Sequence, residues 1–271
     1  MELSKHLTAE EKWQNATLAN NFIFYKVMHN NPDICKELLE ILLEMEIDRI
    51  EMKQEEMFEI DYGKKCVRLD VYATGESTAY NIEMQASDTG EIPERARYYQ
   101  SVIDVDDLSS GRMYKEIKTS YIIFICIQDI FKHGLGKYIF ENLCVENPKI
   151  KLNDRSYKYF FIAENCGKLL NEKQKSFLKL LTSNECTSDF AGRVSRLVED
   201  AKHNTQWRKQ FMDLDREKAY AFHQGLEEGK AEGASAKAIE VAKNLLRMNL
   251  GTPEQIAKIT YENAEKLFNI K

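Results

Sequence analysis

The 271-residue sequence predicts an α/β core followed by a helical C-terminal part. Three patterns carry that expectation. Apolar residues recur at helical spacing between Ala16 and Met45, strand-like segments cluster between Met57 and Ile127, and helical periodicity takes over beyond Asn153.

Ala16 to Asn30 brings Phe22, Phe24, Val27 and Met28 to one helical face, and Asp33 to Met45 does the same with Leu38, Leu39, Ile41, Leu42 and Leu43. Pro32 separates the two helices. Strands are expected over Met57 to Asp61, Cys66 to Ala73, Ala79 to Ala86 and Ser120 to Ile127. Thr74-Gly75-Glu76-Ser77-Thr78 is turn chemistry, with a glycine free to take positive φ. A helix from Pro93 to Leu108 lies between the third and fourth strands, with Arg95, Tyr98, Tyr99 and Val102 on one stripe.

Beyond Asn153 the chain is expected to be mainly helical, with a long amphipathic pattern from Thr187 to Glu228 made locally basic by Lys202, His203, Arg208 and Lys209. Gly225, Gly229 and Gly233 recur inside a charged segment, which suits either a close helix approach or a frayed connector. Ala236 to Met248 and a helix opening at Thr252-Pro253 follow. The last segment, Asn263 to Lys271, completes either a helix-turn-helix or a small bundle for capping or homo-oligomerisation; the absence of arginine from it favours the bundle. The expected organisation is one domain over residues 1–228, with a core over 15–165 and a helical second half over 166–228, then a small helical region over 229–271.

Composition narrows the functional classes. With 43% hydrophobic and 30% charged residues the chain has an ordinary globular make-up. Its longest apolar run, Tyr121 to Ile127, is far too short to span a bilayer and reads as a buried central strand. Met1 to His6 lacks the apolar stretch of a secretory signal, so a cytoplasmic location and reduced, mostly buried thiols are expected. The six cysteines include no CxxC pair and the five histidines no HExxH, which argues against zinc chemistry and a covalent nucleophile. A net charge of −6 rules out DNA binding through a general basic surface, so nucleic acid would have to be held locally.

Strand alternation singles out two carboxylates. Arg68, Asp70 and Tyr72 point one way from their strand, and Asn81, Glu83 and Gln85 share one side of the next, so Asp70 and Glu83 face each other across a hairpin. Such a pair repels unless a cation lies between its members, and a hard divalent ion with oxygen ligands such as Mg²⁺ suits it. That ion would bind a phosphodiester oxygen and lower the pKa of an attacking water. The plainer alternative is that both acids sit on a solvated hairpin face and do nothing.

Motifs along the chain add to this reading. Ile60-Asp61-Tyr62, Arg68-Leu69-Asp70-Val71, Asn81-Ile82-Glu83-Met84-Gln85 and Pro93-Glu94-Arg95-Ala96-Arg97-Tyr98-Tyr99 follow in order. With them go Ala19 to Met28, Tyr121 to Ile125, Lys151 to Arg155 and Asn204 to Arg208. In these the sequence resembles the recombination-promoting nuclease and transposase family of the PD-(D/E)XK nuclease superfamily, over residues 15 to 235.

The resemblance implies a restriction-endonuclease-like mixed sheet flanked by helices and a metal-dependent DNA endonuclease tied to recombination or mobile DNA. Asp70 and Glu83 would hold Mg²⁺ or Mn²⁺ together with the Met84 carbonyl. Gln85 occupies the slot where the superfamily more often has lysine; its amide would orient the water or the phosphate by hydrogen bonds alone. Asn21 stands where similar sequences often carry an acid, although Asn20 or Asn21 also suits the helix cap. Arg95 is expected to contact phosphate and Tyr99 to support the metal, against core packing as the commoner role of such tyrosines. A non-catalytic binding module of the same fold and an RNA-directed nuclease are the competing readings.

Overall fold

Helix formation begins where the sequence places a cap. The computed structural model describes residues 7–53, 57–58, 67–108, 113–256 and 258. In it α1 (Ala9–Gln14) is followed by α2 (Asn21–Asn30), whose first free amides, those of Phe22 and Ile23, donate to the Asn20 side chain at 3.0 and 3.3 Å. Asn31 ends α2, and Pro32 opens α3 (Pro32–Leu43), where its missing N–H costs nothing. Ile23, Phe24, Val27 and Met28 of α2 are buried, as are Leu38, Leu39, Ile41 and Leu42 of α3.

The strands are β1 (Glu51–Met52), β2 (Met57–Phe58), β3 (Val67–Arg68), β4 (Val71–Thr74), β5 (Thr78–Gln85), β6 (Thr119–Cys126), β7 (Lys137–Phe140) and β8 (Ser156–Ile162). β2 and β3 form a separate antiparallel pair; the other six make one mixed sheet in the order β1-β4-β5-β6-β8-β7. Its centre, β5-β6-β8, is parallel, while β1, β4 and β7 add antiparallel edges. A parallel centre requires crossovers, and α4 (Ile92–Asp107) supplies the first, from β5 to β6. On one sheet face α4 buries Ile92, Ala96, Tyr99, Val102 and Ile103 against Ile122, Phe124, Cys126, Phe160 and Ile162. This is the expected mixed sheet with flanking helices.

Several expectations are corrected. The strand anticipated over Cys66 to Ala73 is broken into β3 and β4 by a bend at Leu69-Asp70. Gly75 is not in the left-handed region; it is required for space, since a Cβ there would lie 2.6 Å from Thr78 Oγ1. The segment beyond Asn153 first forms β8, a central strand, because Ser156-Tyr-Lys-Tyr-Phe-Phe-Ile162 is aromatic and suits a pleated surface better than a helix. Tyr98 lies off the buried stripe at 37% exposure, and the thiols are not mostly buried, since Cys144 and Cys166 are half-buried and Cys186 exposed. The expected strand residues Glu59 to Asp61, Cys66 and the terminal segment Asn263 to Lys271 lie outside the described residues.

After β8 come α5 (Glu172–Ser183), α6 (Asp189–His203) and α7 (Thr205–Arg247). The chain divides into two compact units, one of Glu11–Arg208 and one of Met1–Glu10 with Lys209–Lys271. Within the second, α7 runs unbroken through Gly225, Gly229 and Gly233, and nothing lies within 4 Å of a Cβ placed at any of them. Pairs such as Lys230–Glu227 at 2.9 Å and Lys237–Glu240 at 2.9 Å accompany the helix there. Among the described residues no helix is long and apolar enough to cross a membrane.

The loop leaving β6 is organised by Asp129. Its carboxylate accepts from the backbone N–H of Phe131, Lys132 and Gly134 and from the Tyr138 hydroxyl, at 2.7 to 3.1 Å. Desolvation raises the pKa of this group, but the Tyr138 hydroxyl and the three amides outweigh it and hold the carboxyl below the ordinary aspartate value. A depressed folded-state pKa contributes stability that is present above the unfolded value, about 3.9, and is lost as pH falls through the folded one. Asp129→Asn is therefore expected to lower the urea midpoint at pH 7, with the gap from the parent closing below about pH 4. Phe160, 2% exposed between Phe124, Phe131 and Phe140, is the heart of the aromatic cluster. Phe160→Ala should cost about 3–5 kcal/mol of unfolding free energy in the same titration.

Candidate active site

Strand register builds the site. β4 and β5 pair with Val71 opposite Ile82 and Tyr72 opposite Asn81, so the residue preceding β4, Asp70, meets Glu83. The Asp70 N–H donates to Glu83 Oε1 at 3.0 Å, and the Met84 N–H donates back to Asp70 Oδ2 at 3.1 Å. Each carboxylate is thus tied to the neighbouring strand's backbone, which fixes both at the carboxyl end of β5. Asn21, the first residue of α2, adds its side-chain amide to Asp70 Oδ2 at 3.4 Å. Asn20 is the cap and Asn21 the contact.

Glu83 does not lie on a solvated face. It is 1% exposed, beneath α4, and so are its neighbours on that side of β5, Asn81 at 0% and Gln85 at 7%. Asn81 Nδ2 donates to Glu83 Oε1 at 3.2 Å, while Asn81 Oδ1 is buried without a hydrogen-bond partner. Burial is the main cause of a Glu83 pKa well above the ordinary glutamate range, and the Asp70 charge adds to it. The Asp70 N–H, the Arg95 charge and the Asn81 amide oppose the shift.

Arg95, in the second turn of α4, reaches down to the same point. Its Nη1 donates to Gln85 Oε1 at 2.8 Å, its Nη2 to Tyr99 Oη at 2.9 Å and to Glu83 Oε2 at 3.4 Å, and its Nε to Tyr99 Oη at 3.2 Å. The guanidinium lies 5.4 and 5.7 Å from the ring centres of Tyr99 and Phe124. Burial works against its charge, but the Tyr99 hydroxyl, Glu83 and Asp70 outweigh burial and raise its pKa. Tyr99 has the core-packing role, stacking on Phe124 at 6.2 Å, and its hydroxyl also accepts from Arg95.

Gln85 is engaged at both ends of its amide. The nitrogen donates to the Met84 carbonyl at 3.0 Å and the oxygen accepts from Arg95. The structure thus gathers all seven sequence-predicted positions, Asn21, Asp70, Glu83, Met84, Gln85, Arg95 and Tyr99, into one connected network. Sequence reasoning gave no role to Asn81, yet a signal was present. Asn81, Glu83 and Gln85 are three polar residues at period two in a strand otherwise as apolar as a central one.

The donor set fits a hard divalent cation. It offers two facing carboxylates, one of them desolvated and raised in pKa by the other, with a backbone carbonyl beside them, and oxygen donors are what Mg²⁺ and Mn²⁺ take. No cluster of three or more His, Cys, Asp or Glu side chains exists among the described residues, so such a cation would keep waters in its coordination sphere. Cys126, whose thiol burial pushes up to about 12, is chemically quiet.

A family model described as PD-(D/E)XK nuclease family transposase matches residues 19–183, which span every residue of this network. No curated protein and no solved structure matches the chain.

Proposed function

From the fact that the chain belongs to the PD-(D/E)XK nuclease family transposases, we propose that it is a divalent-metal-dependent DNA endonuclease acting in the cytoplasm on recombining or mobile DNA. The observation that carries this reading is the buried carboxylate pair. Glu83 is desolvated and faces Asp70 across the hairpin, an arrangement that is costly unless a cation compensates it.

Asp70, Glu83 and the Met84 carbonyl would hold Mg²⁺ or Mn²⁺. When bound, that cation supplies Lewis acidity toward a phosphodiester oxygen and toward an attacking water. The chain's own residues do the positioning. Asn21 and the Met84 N–H orient Asp70, while Asn81 and the Asp70 N–H orient Glu83. Gln85 bridges the Met84 carbonyl and Arg95, setting the amide next to the place for water and phosphate. Arg95, the cation paired with Glu83, suits a phosphate oxygen, with Tyr99 steadying it. A chain of net charge −6 would then bind DNA through this local positive charge and the metal rather than through a broad basic face.

One observation favours a second reading, a catalytically silent member that binds nucleic acid or protein. Arg95 already partly neutralises Glu83 without any metal. Cleavage of supercoiled plasmid with Mg²⁺, Mn²⁺ or EDTA separates the two. Nicking or linearisation by the parent that requires metal, and falls to background in folded Asp70→Ala and Glu83→Ala, is the expected result. Unchanged metal-dependent cleavage in Asp70→Ala would sink the ligand assignment, and no cleavage by the parent under any metal would leave the binding module.

A further inference from the structure

We propose that Arg95 is an internal counter-ion that competes with the divalent cation for Glu83 and, once the cation takes that carboxylate, turns its charge to the substrate phosphate. Gln85 and Tyr99 act as the residues that position it. This rests on the nuclease reading above and deepens it.

Three features of the contacts lead here. First, the two oxygens of Glu83 are used differently. Oε1 is taken inward by the Asp70 N–H and the Asn81 amide, and Oε2 faces Arg95. A cation held by Glu83 and an arginine paired with it therefore draw on the same oxygen. Second, the ion pair is the longest of the guanidinium's hydrogen bonds. It spans 3.4 Å, against 2.8 Å to Gln85 and 2.9 Å to Tyr99. The groups that fix Arg95 in place are neutral, so giving up Glu83 need not displace the guanidinium.

Third, the Arg95 side chain keeps 27% of its surface exposed whereas Glu83 keeps 1%. Arg95 therefore joins the buried carboxylate to a side chain that solvent, and so an anionic substrate, can reach. Two positive centres on one carboxylate oxygen repel each other, and the repulsion is strong where solvent is excluded. Arg95 must then weaken the site's hold on metal while raising its hold on phosphate. Gln85 matters because its oxygen anchors Nη1 while its nitrogen pins the Met84 carbonyl, which links the guanidinium's position to the strand carrying Glu83.

The experiment uses the full chain. Mn²⁺ binding is measured by calorimetry for the parent, Arg95→Gln, Arg95→Lys and Arg97→Gln, the last removing an equal charge from an exposed position of the same helix. Circular dichroism establishes that each variant is folded. Expected is Mn²⁺ binding tightened about 10-fold in Arg95→Gln, near-parental in Arg95→Lys and changed less than about 2-fold in Arg97→Gln. In single-turnover plasmid cleavage at saturating Mn²⁺, Arg95→Gln should be slowed about 100-fold, with partial recovery in Arg95→Lys.

Opposite movement of metal affinity and rate is the signature, since a merely structural arginine would lower both. Unchanged or weaker Mn²⁺ binding in Arg95→Gln overturns the proposal, as does tighter binding with an unchanged rate. A parent that binds Mn²⁺ but cleaves nothing sinks the nuclease reading and the phosphate role together, while the calorimetry still decides the counter-ion role. Absence of Mn²⁺ binding in both parent and Arg95→Gln overturns both.

Discussion

The antiparallel register of β4 on β5 governs the site. Because Val71 stands opposite Ile82, Asp70 meets Glu83, and the exchange of hydrogen bonds between each carboxylate and the other strand's backbone follows from that offset. Side chains alternate along a strand, so a slip of one residue would send one acid to the far face of the sheet and dissolve the pair. The register is pinned from both sides. Val71, Ile82 and Met84 are buried on the face opposite α4, and Tyr72 is buried on the α4 face. Hydrophobic packing thus bears the strain of holding two like charges together.

Glu83 is a costly residue to bury. A carboxylate at 1% exposure loses nearly all its hydration, and the chain returns some of that through an amide, a backbone N–H and a guanidinium. Asn81 Oδ1, buried without a hydrogen-bond partner among the described residues, adds to the cost of this polar stripe. Helix α4 completes the arrangement by doing two things at once. Its apolar stripe, including Ala96, Val102 and Ile103, seals the sheet, and the same docking brings Arg95 to the buried Glu83 carboxylate. A chain whose total charge is −6 in this way sets one arginine beside its buried acid.

Legibility in the sequence varied with how local the signal was. α3 and α4 could be read nearly to their ends because Pro32 and Pro93 mark their starts and apolar spacing fills them, whereas α2 opens at Asn21 behind its Asn20 cap rather than at the expected Ala16. β5 and β6 were equally clear from alternation and from an apolar run. β8 was not, since its residues read against a helical background and its place as the third parallel strand depends on partners far away in the chain. The short edges β1 and β7, of two and four residues, are strands only because a neighbour offers hydrogen bonds. Gly225, Gly229 and Gly233 read as a break or a contact, and α7 passes through all three without a break.

The sequence by itself determined which residues are candidates for the site. Asp70, Glu83, Gln85, Arg95 and Tyr99 can be found from strand alternation, helical spacing and motif order, because these are properties of a few consecutive residues. What only the tertiary structure decided is their electrostatic condition. Whether Glu83 lies in water or under a helix, whether Gln85 points at solvent or clamps Arg95, and whether Tyr99 packs or holds a guanidinium all depend on how α4 docks on β5 and β6. Burial is a property of everything that surrounds a group, and it sets the local dielectric and hence the strength of every charge interaction there. No local pattern records it.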